Sequence, residues 1–178
     1  SNNLTIAREV TNVSNPVNNE FTYQITQGLE VPASSNKAAI NPAGGVSGMP
    51  SSATVKFNDV NPVSGKAKAT GTVNLSTVKF TKVGDYTWTL TEKASTDSNN
   101  YPIDSNSTYE IRVSVRYNTS GDMVASVAIS DGTNKLSIIS GDDTQILFSK
   151  SPTFTRIEIA NAVEGNMADV NKYFKITV

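Results

Sequence analysis

Cysteine and histidine are both absent from these 178 residues. Without them there is no thiol or imidazole nucleophile, no imidazole base, no disulfide and almost no route to a zinc site. A strong field of either sign is also missing. The formal net charge is −1, so no basic surface points to nucleic acid or to an anionic membrane. No apolar run is long enough to span a bilayer. No signal peptide opens the chain, so an exported protein would be represented here by its mature part. Helix formers such as Leu, Glu and Gln are scarce, whereas Thr, Ser, Asn and Val are abundant. That balance predicts an all-β domain of ordinary size.

Alternation of apolar and polar residues, the mark of a half-buried strand, runs through much of the chain. Leu4, Ile6 and Val10 define a first strand, and Arg8 shares their face. Phe21, Tyr23 and Ile25 define a second. Residues 28–53 read as a long loop with a short helical turn, and their Gly44-Gly45-Val-Ser-Gly48 lacks the strand-then-helix context of a phosphate cradle. Strands follow at 54–57, 66–75 and 78–80. Tyr86, Trp88 and Leu90 then alternate with Thr87, Thr89 and Thr91. Residues 94–108 read as a polar loop. Tyr109 to Tyr117 and Met123 to Ile129 form a hairpin around Asn118-Thr-Ser-Gly121. Further strands are predicted at 135–139, 145–150, 157–161 and 173–178. Many short strands with frequent turns predict an antiparallel β-sandwich.

The parity of the Tyr86–Leu90 strand carries Glu92 onto the apolar face beside the only Trp. A carboxyl there is costly unless protonated or paired. Either Glu92 sits at the strand's exit and turns into water, or it is held beside buried partners. There is also an internal echo: residues 157–178 align without a gap on 4–25, so that Ile6 meets Ile159, Arg8 meets Asn161 and Phe21 meets Phe174. This predicts one domain over residues 1–152, and in 153–178 the leading hairpin of a second, similar domain or a strand donated between chains.

Several stretches together resemble a known family. They are Leu4-Thr-Ile-Ala-Arg-Glu-Val10, Phe21-Thr-Tyr-Gln-Ile25, the run from Val78 through Gly84-Asp-Tyr to Thr91-Glu92, Tyr109-Glu-Ile-Arg-Val-Ser-Val115, Ile146-Leu-Phe-Ser-Lys150 and Gly165-Asn-Met-Ala-Asp169. They resemble the isopeptide-linked domains of Gram-positive pilus backbone proteins, the streptococcal T-antigen type. The absence of cysteine is compatible with such a surface. The resemblance implies an Ig-like, CnaB-type sandwich in which a first-strand Lys is joined to a last-strand Asn by a self-formed amide, promoted by a buried Glu. Burial lowers the amine's pKa, the apolar wall raises the carboxyl's, and the folded core supplies proximity in place of an enzyme.

Carried over residue by residue, Glu92 takes the isopeptide-promoting position. Arg8 stands at the family's Lys position, Lys150 at its Asn position, and Asn161 at the Lys position of the next domain. Arg remains protonated and is no nucleophile, so the usual amide is not expected within 1–152. A buried cluster of Arg8, Lys150 and Glu92 is expected instead. Lys150 and Asn161 are the right chemical types on exchanged strands, an inverted pair that would require strand 157–163 to fill a first-strand slot.

The resemblance implies a structural, non-enzymatic module of a cell-surface pilus or adhesin stalk, without cofactor or metal. Its partners would be other pilin subunits, tandem domains or a host surface ligand. No Leu-Pro-x-Thr-Gly sorting motif is present, and the place of the family's linking lysine corresponds to Asp143. An alternative function is ligand binding, to carbohydrate or host protein, through loops 28–53 and 94–108, with Tyr101, Asp97 and Asp104 near a sugar or calcium. A third is glycoside hydrolysis by Asp85 and Glu92. Ester-linked relatives, which need a nearby His, are disfavoured by its absence.

Overall fold

The computed structural model describes residues 3–136 and 146–152. Among these residues eleven strands run in order: β1 (Asn3–Thr11), β2 (Val17–Gln27), β3 (Val46–Ser47), β4 (Ser52–Val60), β5 (Lys66–Asn74), β6 (Lys79–Phe80), β7 (Gly84–Ser95), β8 (Thr108–Tyr117), β9 (Met123–Ser130), β10 (Lys135–Leu136) and β11 (Leu147–Lys150). No helix occurs among the described residues. The chain is an all-β sandwich. One layer is six-stranded in the order β10-β9-β8-β7-β2-β4 and the other three-stranded in the order β11-β1-β5, with a small β3-β6 ribbon beside them. Neighbouring strands are antiparallel except for one pair: β11 lies parallel to β1, Arg8 opposite Phe148 and Val10 opposite Lys150.

The alternation explains the layers. Phe21, Tyr23 and Ile25 of β2, Tyr86, Trp88 and Leu90 of β7, and Tyr109, Ile111, Val113 and Val115 of β8 are all buried. They meet Leu4, Ile6 and Val10 of β1 and Phe148 of β11 from the facing layer. Each such side chain stabilises the fold by about 1.5–3 kcal/mol through burial alone. Aromatic edges lock the seam: Phe148 packs 4.8 Å from Tyr23 and 5.2 Å from Tyr109, centroid to centroid, and Phe21 meets Phe57 edge-on at 5.8 Å.

The β4–β5 connection carries the chain from one layer to the other. There the backbones come so close that a Cβ on Gly71 would sit 2.0 Å from the Thr54 carbonyl oxygen, so only glycine fits. A second irregularity matters for function. Tyr23 pairs with Glu92 but Thr22 pairs with Ala94, which leaves Lys93 as an extra residue in β7. Such a bulge bends its strand and re-aims adjacent side chains.

The helical turn expected within 28–53 is not there. Val31 bridges to Ile40 and Ser34 to Lys37, making a narrow antiparallel excursion instead. Asn41 stabilises it by donating to the Leu29 carbonyl and to the Thr87 hydroxyl while accepting from the Thr87 amide. These bonds come from residues far apart in sequence, so no local pattern announces them. The expected second-domain hairpin over 153–178, together with Asn161, and Asp143 lie outside the described residues.

Candidate functional site

Glu92 does not turn into water. It is 3% exposed, at the point where β7 passes under β1. Its two oxygens are fully engaged. Oε1 accepts from Arg8 Nε at 2.7 Å and from the Tyr23 hydroxyl at 2.6 Å. Oε2 accepts from the Asp104 amide at 2.5 Å. The bulge at Lys93 sits immediately beyond, and the loop after β7 folds back so that its main chain reaches the carboxylate.

Arg8 is 1% exposed and its guanidinium is used on all sides. Nε holds Glu92, Nη1 donates to the Glu9 carbonyl, and Nη2 donates to the Pro102 carbonyl at 3.0 Å. The cation also lies 4.1 Å from the centroid of the Phe21 ring, a cation–π contact away from water. A buried ion pair persists only when its remaining donors and acceptors are satisfied, and every buried side-chain nitrogen and oxygen among the described residues has a partner.

The electrostatics fix the protonation of the neighbours. Burial, reinforced by the negative charge of Glu92, pushes the Tyr23 phenol far above its ordinary pKa, so it stays a donor. Asp104 is 3% exposed. Burial acts to raise its pKa but is outweighed by hydrogen bonds from the Ser149 and Ser107 groups and the Asn106 amide, leaving it below the usual carboxylate value. Its Oδ2 takes the Ser149 amide at 2.9 Å and the Ser107 hydroxyl at 2.7 Å. Asp104 thus links the last strand to the loop that contacts Glu92.

Arg8 and Glu92 are therefore together, whereas Lys150 stands apart. It is half-buried, opposite Val10, and its side chain forms no ion pair or hydrogen bond among the described residues. The expected three-charge cluster is a two-charge pair completed by a phenol and a main-chain amide. The hydrolase pairing is overturned by parity: Asp85 lies on the opposite face of β7 from Glu92. There Asp85 binds Arg112 at 2.9 Å, Arg116 at 2.8 Å and Ser114 at 2.8 Å. These contacts outweigh its partial burial and hold its carboxyl below the ordinary value. Asp104, read from the sequence as a loop residue near a ligand, is instead buried and structural.

Three participants were not evident from the sequence. Tyr23 was legible as a core position but its hydroxyl partner was not. Pro102 and Asp104 contribute main-chain groups, for which side-chain patterning carries no signal. Chemically, the site presents a carboxylate with no free amine beside it. A guanidinium that stays protonated cannot attack a carbonyl.

Residues 4–155 match the family described as the Spy0128-like isopeptide containing domain. No curated protein matches the sequence. Among solved structures, the major pilin T-13 of Streptococcus pyogenes is similar, at 16% identity and a TM-score of 0.56, covering 87% of this chain. The chain spans about half, 53%, of that pilin's length.

Proposed function

The chain belongs to the family of Spy0128-like isopeptide containing domains, and from that premise we propose that it is a load-bearing structural module of a Gram-positive pilus or surface stalk. In this module a buried ion pair occupies the place of the family's covalent link. The observation that carries the reading is the Arg8–Glu92 contact at 2.7 Å, both side chains sealed inside the sandwich. Arg8 lies on β1, which pairs in parallel with β11, the last of the described strands. That is where the resemblance sets the amine of the cross-link, with Glu92 as promoter and Lys150 at the amide position. The domain works without turnover, and its partners are other pilin subunits or tandem domains at the cell surface.

Installing the missing pair tests this. In the Arg8→Lys, Lys150→Asn double variant, the amine introduced at position 8 would attack the side-chain carbonyl introduced at position 150. The new C–N bond forms as the amide nitrogen leaves with its protons as ammonia. Glu92 relays the protons. The register favours it, since residue 150 lies one inward-facing position beyond Phe148, the partner of residue 8. The double variant is expected to lose one ammonia in its intact mass, and the same variant carrying Glu92→Ala to retain it. A folded double variant of full mass would contradict the assignment of these positions.

A further inference from the structure

Where β1 turns into β2, a cleft of about 310 Å³ opens at the end of the sandwich. Asn12, Val13 and Asn15 form one wall, and Asp97, Asn100 and Tyr101, just after β7, form the other. Both walls are fixed before any ligand arrives. Asn12 holds a left-handed backbone conformation, φ 59°, which asparagine tolerates better than most residues. It is tethered by its side chain to the Ser151 hydroxyl at 3.2 Å, and the next amide, Val13, bonds the Gly65 carbonyl at 3.1 Å. Across the cleft, buried Asn19 accepts from the Thr96 hydroxyl at 2.7 Å and from the Asp97 amide at 2.9 Å. The Tyr101 amide closes the turn onto the Asp97 carbonyl at 2.7 Å.

The polar groups facing this space are not all used. The Asn15 side chain and the Tyr101 hydroxyl have no hydrogen-bond partner among the described residues, while Asp97 and Asn100 bond each other at 2.8 Å. No Lys or Arg lines the cleft, and its one carboxylate repels anions. A single carboxylate is also too few for a hard cation, and no cluster of metal-ligating side chains exists among the described residues. What remains is a rigid cleft of amides, hydroxyls and one carboxylate beside a phenol ring that packs partly on the core. Such a surface suits a neutral ligand rich in hydroxyls with an apolar C–H face. The volume is at the small end for ligand sites.

We propose that this cleft binds one or two rings of a neutral saccharide, with Asn15, Asp97 and the Tyr101 hydroxyl taking sugar hydroxyls and the Tyr101 ring taking the C–H face. The 28–53 loop has no part in it. The site is independent of the Arg8–Glu92 pair, so its failure would leave the structural reading intact.

The test is an amide-resolved NMR titration of the whole chain with lactose, maltose and diacetylchitobiose, and with glucuronic acid as an anionic control. Saturable shifts confined to residues 12–15 and 97–101 are expected with at least one neutral disaccharide, and not with the acid. Tyr101→Ala should weaken binding roughly tenfold, the loss of about 1.4 kcal/mol. Because Tyr101 touches the core, Asn15→Ala and Tyr101→Phe are the controls that keep the fold, and each should weaken binding severalfold. No saturable shift with any of the three disaccharides, shifts located elsewhere, or unchanged affinity in all three variants would overturn the proposal.

Discussion

A buried carboxylate holding a buried guanidinium is costly to break from one side. Glu92→Ala would leave Arg8 charged, desolvated and facing a hole, and would orphan the Tyr23 hydroxyl and the Asp104 amide. Removing one partner of such a pair costs about 3–5 kcal/mol. Urea unfolding should show that loss for Glu92→Ala, and a smaller one for Glu92→Gln, which fills the space and keeps one acceptor oxygen, for Tyr23, while its amide nitrogen cannot accept from the Asp104 amide. Equal stability of Glu92→Ala and the wild type would mean the pair contributes nothing. The sequence made Glu92 and Arg8 legible for a simple reason: each breaks an apolar alternation at an inward position, and parity needs only a few residues to read. Tyr23 obeyed the pattern, so nothing in it hinted that its hydroxyl faces a carboxylate.

Strand β11 is short, and three features hold it. It pairs in parallel with β1 over four register positions. The Tyr109 hydroxyl donates to the Leu147 carbonyl at 2.6 Å and accepts from the Leu147 amide at 3.1 Å. Asp104 accepts the Ser149 amide. Because the folded pKa of Asp104 lies below its ordinary 3.8, its contribution is fully present above that value. It is lost as pH falls through the folded pKa. Asp104→Asn should therefore lower stability at neutral pH and flatten the acid limb of the stability curve below about pH 4. Hydrogen exchange at the Ser149 amide should quicken in the same variant. An unchanged acid limb would show that Asp104 does not latch the strand. Strand by strand, the sandwich was readable because period-2 alternation is local. The 94–108 stretch was not, since Pro102 and Asp104 act through main-chain groups, and Asp104 also through a strand 45 residues away.

At the scale of the molecule, β1 and β11, the first and last of the described strands, lie side by side, so tension drawn through both would shear one against the other. Only hydrogen bonds and packing resist that shear if the link is non-covalent. A single molecule pulled from its ends should then release the whole stretch between residues 8 and 150, roughly 500 Å of extended chain at about 3.5 Å per residue. The Arg8→Lys, Lys150→Asn variant, once cross-linked, should withhold that length. Failure of the wild type to extend past residue 8 would point to a hidden covalent bond.

The most direct measurement is the intact mass of the unmodified chain under denaturing conditions. A non-covalent Arg8–Glu92 site predicts the full sum of the residues, 19.0 kDa, with nothing lost. A mass lower by one ammonia, as a Lys150–Asn161 amide would give, would contradict the replacement of the family's covalent link by an ion pair.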